Sequence, residues 1–199
     1  MALNKFGVKE VADVRFYDLS EVSNADDSAA ATLAAITGVE PVIEFDTLKV
    51  SNIESTAEST DARGGKGNAA LISWDYGREV TVTIEDALMS MDCLRLLFGS
   101  SADGNVTINA DKFPGNYAVV GKTYARSQET GEDHIFTFVI PKAKIQSETT
   151  LTMEAEGDPS VIGMTLKVLR CKNGDMVSLM ADEQAFDKDG NTNIWGETK

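Results

Sequence analysis

The chain is written largely in steps of two. From Glu79 to Glu85 the apolar Val80, Val82 and Ile84 alternate with Glu79, Thr81, Thr83 and Glu85, the pattern of a strand with one face buried and one face wet. At Asp86 the period lengthens. Leu88, Met91, Leu94 and Phe98 recur at steps of three and four, which predicts a short helix over Asp86–Phe98. Asp86 is placed to cap its first turn and Gly99 to close its last. Alternation also predicts strands over Val11–Leu19, Val42–Ile53, Ala70–Glu85, Asn105–Ala110 and Ala143–Glu156. Tyr117–Arg126 and Ile135–Ile140 read as one hairpin, and Val161–Cys171 with Asp175–Ala181 as another, turned at Asn173-Gly174. Gly77, inside a long strand, marks a bulge or bend.

Two stretches break the pattern. Ser20–Gly38, rich in Ala, Ser, Asp and Thr, reads as a loop in preference to a weak helix from Ser28. Glu54–Asn68 is small, polar and Gly-rich and reads as a long connection, a length usually reserved for function or disorder. After Asp182 the tail is polar apart from Phe186, Ile194 and Trp195. Many short strands at this spacing predict a mainly β fold, an antiparallel sandwich or partial barrel flanked by one α-helix, with a long loop and N- and C-terminal arms. No internal repeat and no linker divides the chain, so residues 1–199 read as a single domain.

Size supports that reading. A 199-residue chain can bury roughly 70% of its unfolded surface without staples. Cys93 and Cys171 are too far apart in sequence for a disulfide framework or a metal motif and read as core residues of a reducing compartment. No run approaches the roughly 20 apolar residues of a membrane helix, and the first residues lack the apolar core of a signal peptide. Folding in a cytoplasm and no membrane partner are the expectation.

The net charge is −14, and between Ser20 and Asp61 there are nine acids against one base, Lys49. Such a surface repels a polyanion and argues against tight nucleic-acid binding. It also suits a surface that must face DNA without holding it.

Catalytic chemistry finds little footing. His134 is the single histidine, which excludes paired-histidine metal sites and argues against a hidden triad; it reads as a surface or turn histidine. Arg63-Gly64-Gly65-Lys66-Gly67 lacks the spacing of a phosphate loop. Asp187-Lys188-Asp189-Gly190-Asn191 has its glycine fourth and Thr198 twelfth, where a calcium loop needs Gly sixth and Glu twelfth. Asp26-Asp27 and Asp182-Glu183 would act as acid and base only inside a pocket. No catalytic, cofactor or metal residue is expected. A hydrolase using Asp182 or Asp187 is a distant alternative. An acidic β-chain with long edges and small-residue loops instead suggests a protein that assembles with copies of itself, since unpaired strand edges need partners.

Three segments carry a resemblance to a known family: FGVKEVADVRFYDL near the start, WDYGREVTVTIEDALMSMDCLRLLFG in the middle, and TLTMEAEGDPSVIGMTLKVLRCKNGDMVSLMA late in the chain. Together they resemble the major tail tube proteins of long-tailed bacteriophages, most closely the Gram-positive siphophage type. The resemblance implies a β-sandwich or partial barrel with one flanking helix, six copies per ring, and stacked rings forming a hollow tube through which DNA is ejected. It implies that the chain's partners are itself, the tape measure, tail terminator and distal tail proteins, and DNA in non-sticking passage. The location implied is the virion tail, assembled in host cytoplasm.

By that analogy the helix would pack near a neighbouring subunit through Leu88, Met91, Leu94 and Phe98. The 54–68 loop would reach the next ring with Glu58, Asp61, Arg63 and Lys66, and the N-terminal arm would help stack rings. Lumen acids would come from the polar faces of the Val42–Ile53 and Thr149–Glu156 strands: Glu44, Asp46, Glu154 and Glu156. Two alternatives stand beside it, the inner tube of a contractile tail or injection particle, and a capsid-decoration or adhesin-like β-domain that binds a protein or glycan.

Overall fold

The computed structural model describes residues 5–22, 27–100, 105–146 and 162–181. In chain order the elements are β1 (Phe6–Asp18), α1 (Ala29–Ile36), β2 (Ile43–Phe45), β3 (Leu48–Gly64), β4 (Ala69–Asp86), α2 (Met91–Phe98), β5 (Asn116–Ser127), β6 (Asp133–Ile145), β7 (Ile162–Val168) and β8 (Ser178–Ala181). The fold is mainly β. All described strands join one antiparallel sheet in the order β2-β1-β5-β6-β7-β4-β3, with β8 on β6.

That sheet curls around its main core. Val14 and Phe16 of β1, Ile43 and Phe45 of β2, Val80, Val82 and Ile84 of β4, Val119 of β5, Ile140 of β6 and Leu166 of β7 form one cluster, all buried. Strands β1 and β3, far apart in the order, come into contact as a result. Phe16 anchors the layers with edge-on contacts to Phe45 and Tyr117. A second, smaller core lies on the other face of β1, β5 and β6, where α1 covers Tyr17, Ala118, Val120 and Val139 with Leu33 and Ile36. Alternation thus sends Val119 to one core and Val120 to the other, so β5 is buried on both faces.

Strand β6 divides its free edge between two partners. Residues 136–139 pair with β8 and residues 143–145 with β7. Between them the register to β5 slips, Ile140 facing Val119 and Ala143 facing Tyr117. Pro141 sits in this slip, where its missing N–H costs the ladder nothing.

The tertiary structure departs from the sequence reading in several places. Glu54–Asn68 is no loop: it continues β3 to Gly64 and then turns back through Gly65–Asn68 into β4. Its small polar residues hide the strand because they have no core to alternate against. The turn explains the glycines, with Gly65, Gly67 and Asn68 all at positive φ. Ser20–Gly38 contains a helix, so two helices flank the sheet. The predicted Val42–Ile53 strand is broken between Phe45 and Leu48. Residues 105–110 form no strand. Asn173-Gly174 does turn, with Gly174 at φ +102°, but β7 and β8 do not pair with each other. Strand β7 lies between β4 and β6 while β8 pairs with β6 farther along, because the core rewards those neighbours over a local ladder. Most of Ala143–Glu156 lies outside the described residues, as does the C-terminal tail.

Helix α1 is short and alanine-rich, and its ends are held by polar contacts. Ser28 Oγ accepts from Ala31 N–H at 3.0 Å, and the Thr32 hydroxyl donates to the Ser28 carbonyl at 2.8 Å. A carboxylate from far along the chain completes the cap: Asp175 Oδ2 accepts the Ala29 N–H at 3.1 Å and the Asn173 side-chain amide at 2.8 Å. These bonds, the Asn173 one foremost, hold the Asp175 carboxyl below the usual carboxylate range. A depressed folded-state pKa adds stability above the unfolded value and loses it as pH falls through the folded value. Acidification below about pH 4 should therefore loosen α1 from the 171–175 turn. Asp175→Asn should remove that acid-side step from a hydrogen-exchange profile of Thr32 and Leu33; an unchanged step would show that Asp175 does not hold the helix.

Helix α2 begins later than the periodicity predicts. Ser90 is its cap, accepting from Cys93 N–H at 3.0 Å. Asp86 ends β4 instead, buried, and accepts a hydrogen bond from the Thr47 hydroxyl. The C-terminal expectation holds: Gly99 is left-handed at φ +61° and donates to the Arg95 carbonyl. A Cβ there would come within 2.8 Å of the Phe113 carbonyl carbon and oxygen. Gly99→Ala should cost about 1–2 kcal/mol for the backbone conformation alone, with the Phe113 clash added. A melting temperature lower by several degrees checks it, and an unchanged one would show that the 113–115 segment yields freely.

Candidate assembly surface

The feature that stands out is the outer half of the β3–β4 hairpin. Strand β4 pairs with β7 only from Thr81 to Asp86. Beyond Thr81, β3 and β4 have only each other among the described residues, so residues 54–64 and 69–79 form a two-stranded ribbon that no other described strand pairs. An isolated ribbon of this kind is marginal in water. It also carries apolar surface: Leu71, Ile72, Trp74 and Tyr76 are 67, 55, 54 and 52% exposed.

The register places these side chains. Glu58 faces Tyr76, Thr60 faces Trp74 and Ala62 faces Ile72, so Ile72, Trp74 and Tyr76 share one face of the ribbon. The Thr60 hydroxyl donates to the Tyr76 hydroxyl at 3.3 Å across that face. Gly77 decides which face it is. Between Thr56–Glu79 and Glu58–Tyr76, β4 spends one residue more than β3, and Gly77 sits there at φ +61°. Strict alternation would put Tyr76 on the core side with Val80. The bulge instead aligns the aromatic row with Glu79 and Thr81 on the outer side.

The residues expected to make inter-ring contacts all fall on this arm. Glu58 lies opposite Tyr76, Asp61 and Arg63 form an ion pair at 2.7 Å, and Lys66 is in the end turn. An exposed pair like this contributes about 0–1 kcal/mol, so the apolar row outweighs it. The sequence reading missed Ile72, Trp74 and Tyr76 as a surface. Their period of two is plain in the sequence, but it does not say which side of the strand they take.

The helix set is split by the fold. Leu94 and Phe98 are half-buried against the main core, whereas Leu88 and Met91 are 62 and 47% exposed. The face that packs is Cys93, Leu96 and Leu97. Burial pushes the Cys93 thiol up to about 12, with the Asp86 charge adding to it, so this thiol is not a nucleophile at neutral pH. Cys171 is also buried and unbridged.

Of the expected lumen acids, Glu44 lies on β2 and accepts from Arg15 Nε at 2.9 Å, and Asp46 is exposed just after it. Glu154 and Glu156 lie outside the described residues. A second acidic face was not anticipated: the outer side of β3, β4 and β7, bearing Glu54, Glu79 and Glu85 among Thr81, Thr83 and Thr165. Lys167 reaches Glu79 at 3.2 Å there. His134 stands partly buried at the start of β6, opposite Ala125. Asp27 is paired with Lys172, while Asp26, Asp182, Glu183 and Asp187 lie outside the described residues. Among the described residues no group of three or more His, Cys, Asp or Glu side chains is arranged to hold a metal.

A family model described as the YomU/Tube protein family matches residues 6–103 and 99–179, which covers every described strand except the last residues of β8. The chain belongs to the YomU/Tube protein family. No curated protein matches it. Family membership gives the chain a structural, tube-related role in a phage, as a component of the virion tail. Among the described residues no helix is long and apolar enough to cross a membrane.

Proposed function

We propose that this chain is a major tail tube protein of a long-tailed phage, forming hexameric rings that stack into the hollow tube through which DNA is ejected. The observation that carries this reading is the β3–β4 arm, a two-stranded ribbon with an exposed aromatic row, attached to a family of tube proteins. An arm of this kind has to be covered by a neighbour, and a closed ring of sheets removes the free edges. Glu58, Asp61, Arg63 and Lys66 then reach the adjacent ring, while Leu88 and Met91 face a subunit beside them. Assembly takes place in host cytoplasm, and tape measure, terminator and distal tail proteins bind the tube's ends and bore.

The bore face we propose is the outer side of β3–β4–β7. Where β7 pairs with β4, inward of the aromatic row, it is polar and acidic, so phosphates passing it release no counterions and do not stick. Negative-stain electron microscopy of the concentrated protein, with light scattering alongside, tests the assembly: hollow tubes or six-fold rings are expected, and a monomer at every concentration with purified tail initiators present would overturn it. Charge reversal tests the bore. Glu54→Lys with Glu85→Lys should leave tubes intact and slow DNA ejection severalfold. If Glu44→Lys with Asp46→Lys does so instead, the β2 side lines the bore.

A further inference from the structure

The main core face runs on past its cover. On β1, β5, β6 and β8, Val14, Val119, Phe138 and Ile140 are sealed, but farther along the same face Phe6, Val8 and Leu179 are 41, 57 and 59% exposed. They form one strip. The Phe6 ring lies 5.4 Å from that of Phe136, Val8 follows on the same side of β1, and Leu179 and Ala181 face Phe138 and Phe136 across the β6–β8 ladder. Contiguous exposed apolar surface of this kind marks an interaction site.

We propose that the strip is covered by the chain's own C-terminal segment, residues 182–199, with Phe186 and the Ile194-Trp195 pair seated on Phe6, Val8 and Leu179. Three observations point to this occupant. Strand β8 ends on the strip itself, at Ala181 opposite Phe136. The segment that follows is polar except for large apolar residues at 186, 194 and 195. Its reach also fits: Phe186 is about 17 Å of extended chain beyond Ala181, and the three inter-strand steps from β8 to β1 span about 14 Å. Tethering at the edge of the strip gives this segment an effective concentration in the millimolar range, above that of any free competitor. The device does not rest on the tube reading.

Trp74→Phe leaves Trp195 as the sole tryptophan. In the dilute, full-length variant its emission should lie to the blue of a free 182–199 peptide, and acrylamide should quench it severalfold less. Adding Val8→Asp and Leu179→Asp, both at exposed positions, should return both readouts to the peptide's values while circular dichroism shows the fold retained; if it is lost, Leu179→Ser is read in its place. Peptide-like emission in the parent variant overturns the proposal. So does protection that ignores the strip substitutions. Protection that appears only where light scattering shows association assigns the strip to a neighbour's tail and overturns it equally.

Discussion

Trp74→Asp combined with Tyr76→Asp is expected to abolish the tube formation proposed above and to leave a folded monomer. Both side chains stand on the outer half of the β3–β4 ribbon, past the last β7 pairing, and neither contributes to a core cluster. Their loss therefore costs the monomer little, and surface changes away from packed features stay within about 0.5 kcal/mol. In an assembled tube the cost is of another order. Aromatic residues at the centre of an interface are the residue types that dominate its energy, at about 2 kcal/mol or more each. A carboxylate buried in their place has no partner, and a ring repeats the penalty at every interface. Electron microscopy should show no tubes at concentrations where the parent forms them, with the melting temperature within a few degrees. Tubes of normal appearance from the double variant would remove the arm from the assembly. Ile108→Asp is a useful comparison, since it adds a carboxylate to an exposed apolar site off the arm.

The largest loss of stability is expected at Phe138. This ring lies over Gly121 of the facing strand so closely that a Cβ on Gly121 would come within 2.0 Å of the ring's Cζ. Glycine is needed at 121 for that reason alone, since the backbone there is ordinary extended strand. Phe138→Ala should cost about 3–5 kcal/mol, the usual range for emptying an aromatic site in a core. In a chain of this size that lowers the melting temperature by roughly 10 °C. Gly121→Ala should cost about 1–3 kcal/mol by forcing the ring aside. The two changes compensate, because the methyl group added at position 121 enters the space the ring leaves. The double variant should therefore be more stable than the sum of the singles implies. Strict additivity would show that the two sites do not share that space.

Much of the fold was legible where a strand has one wet face and one dry one. The Glu79–Asp86 alternation, the β5–β6 hairpin, the Gly99 cap and the Gly77 bulge all carry local signals that depend on backbone geometry or on a single buried side. Legibility failed where the deciding partner was distant. The outer part of β3 has no core to alternate against, so only its pairing to β4 reveals a strand. Helix α1 is capped by Asp175, 146 residues from Ala29, and no local pattern announces that contact. The candidate surface was half visible. Glu58, Asp61, Arg63 and Lys66 were placed on one projecting segment, but the aromatic row beside them comes to light only through the register of β4 on β3.

The sequence by itself determined a mainly β chain with a strand-to-helix unit and a strong excess of acids, because composition and periodicity act locally. Only the tertiary structure decided which strands are neighbours, which apolar rows are buried and which are left for a partner. Those outcomes depend on contacts between residues far apart in the chain: β8 chooses β6 over the nearby β7, and the register of β4 on β3 puts Ile72, Trp74 and Tyr76 on the outer side with Glu79 and Thr81.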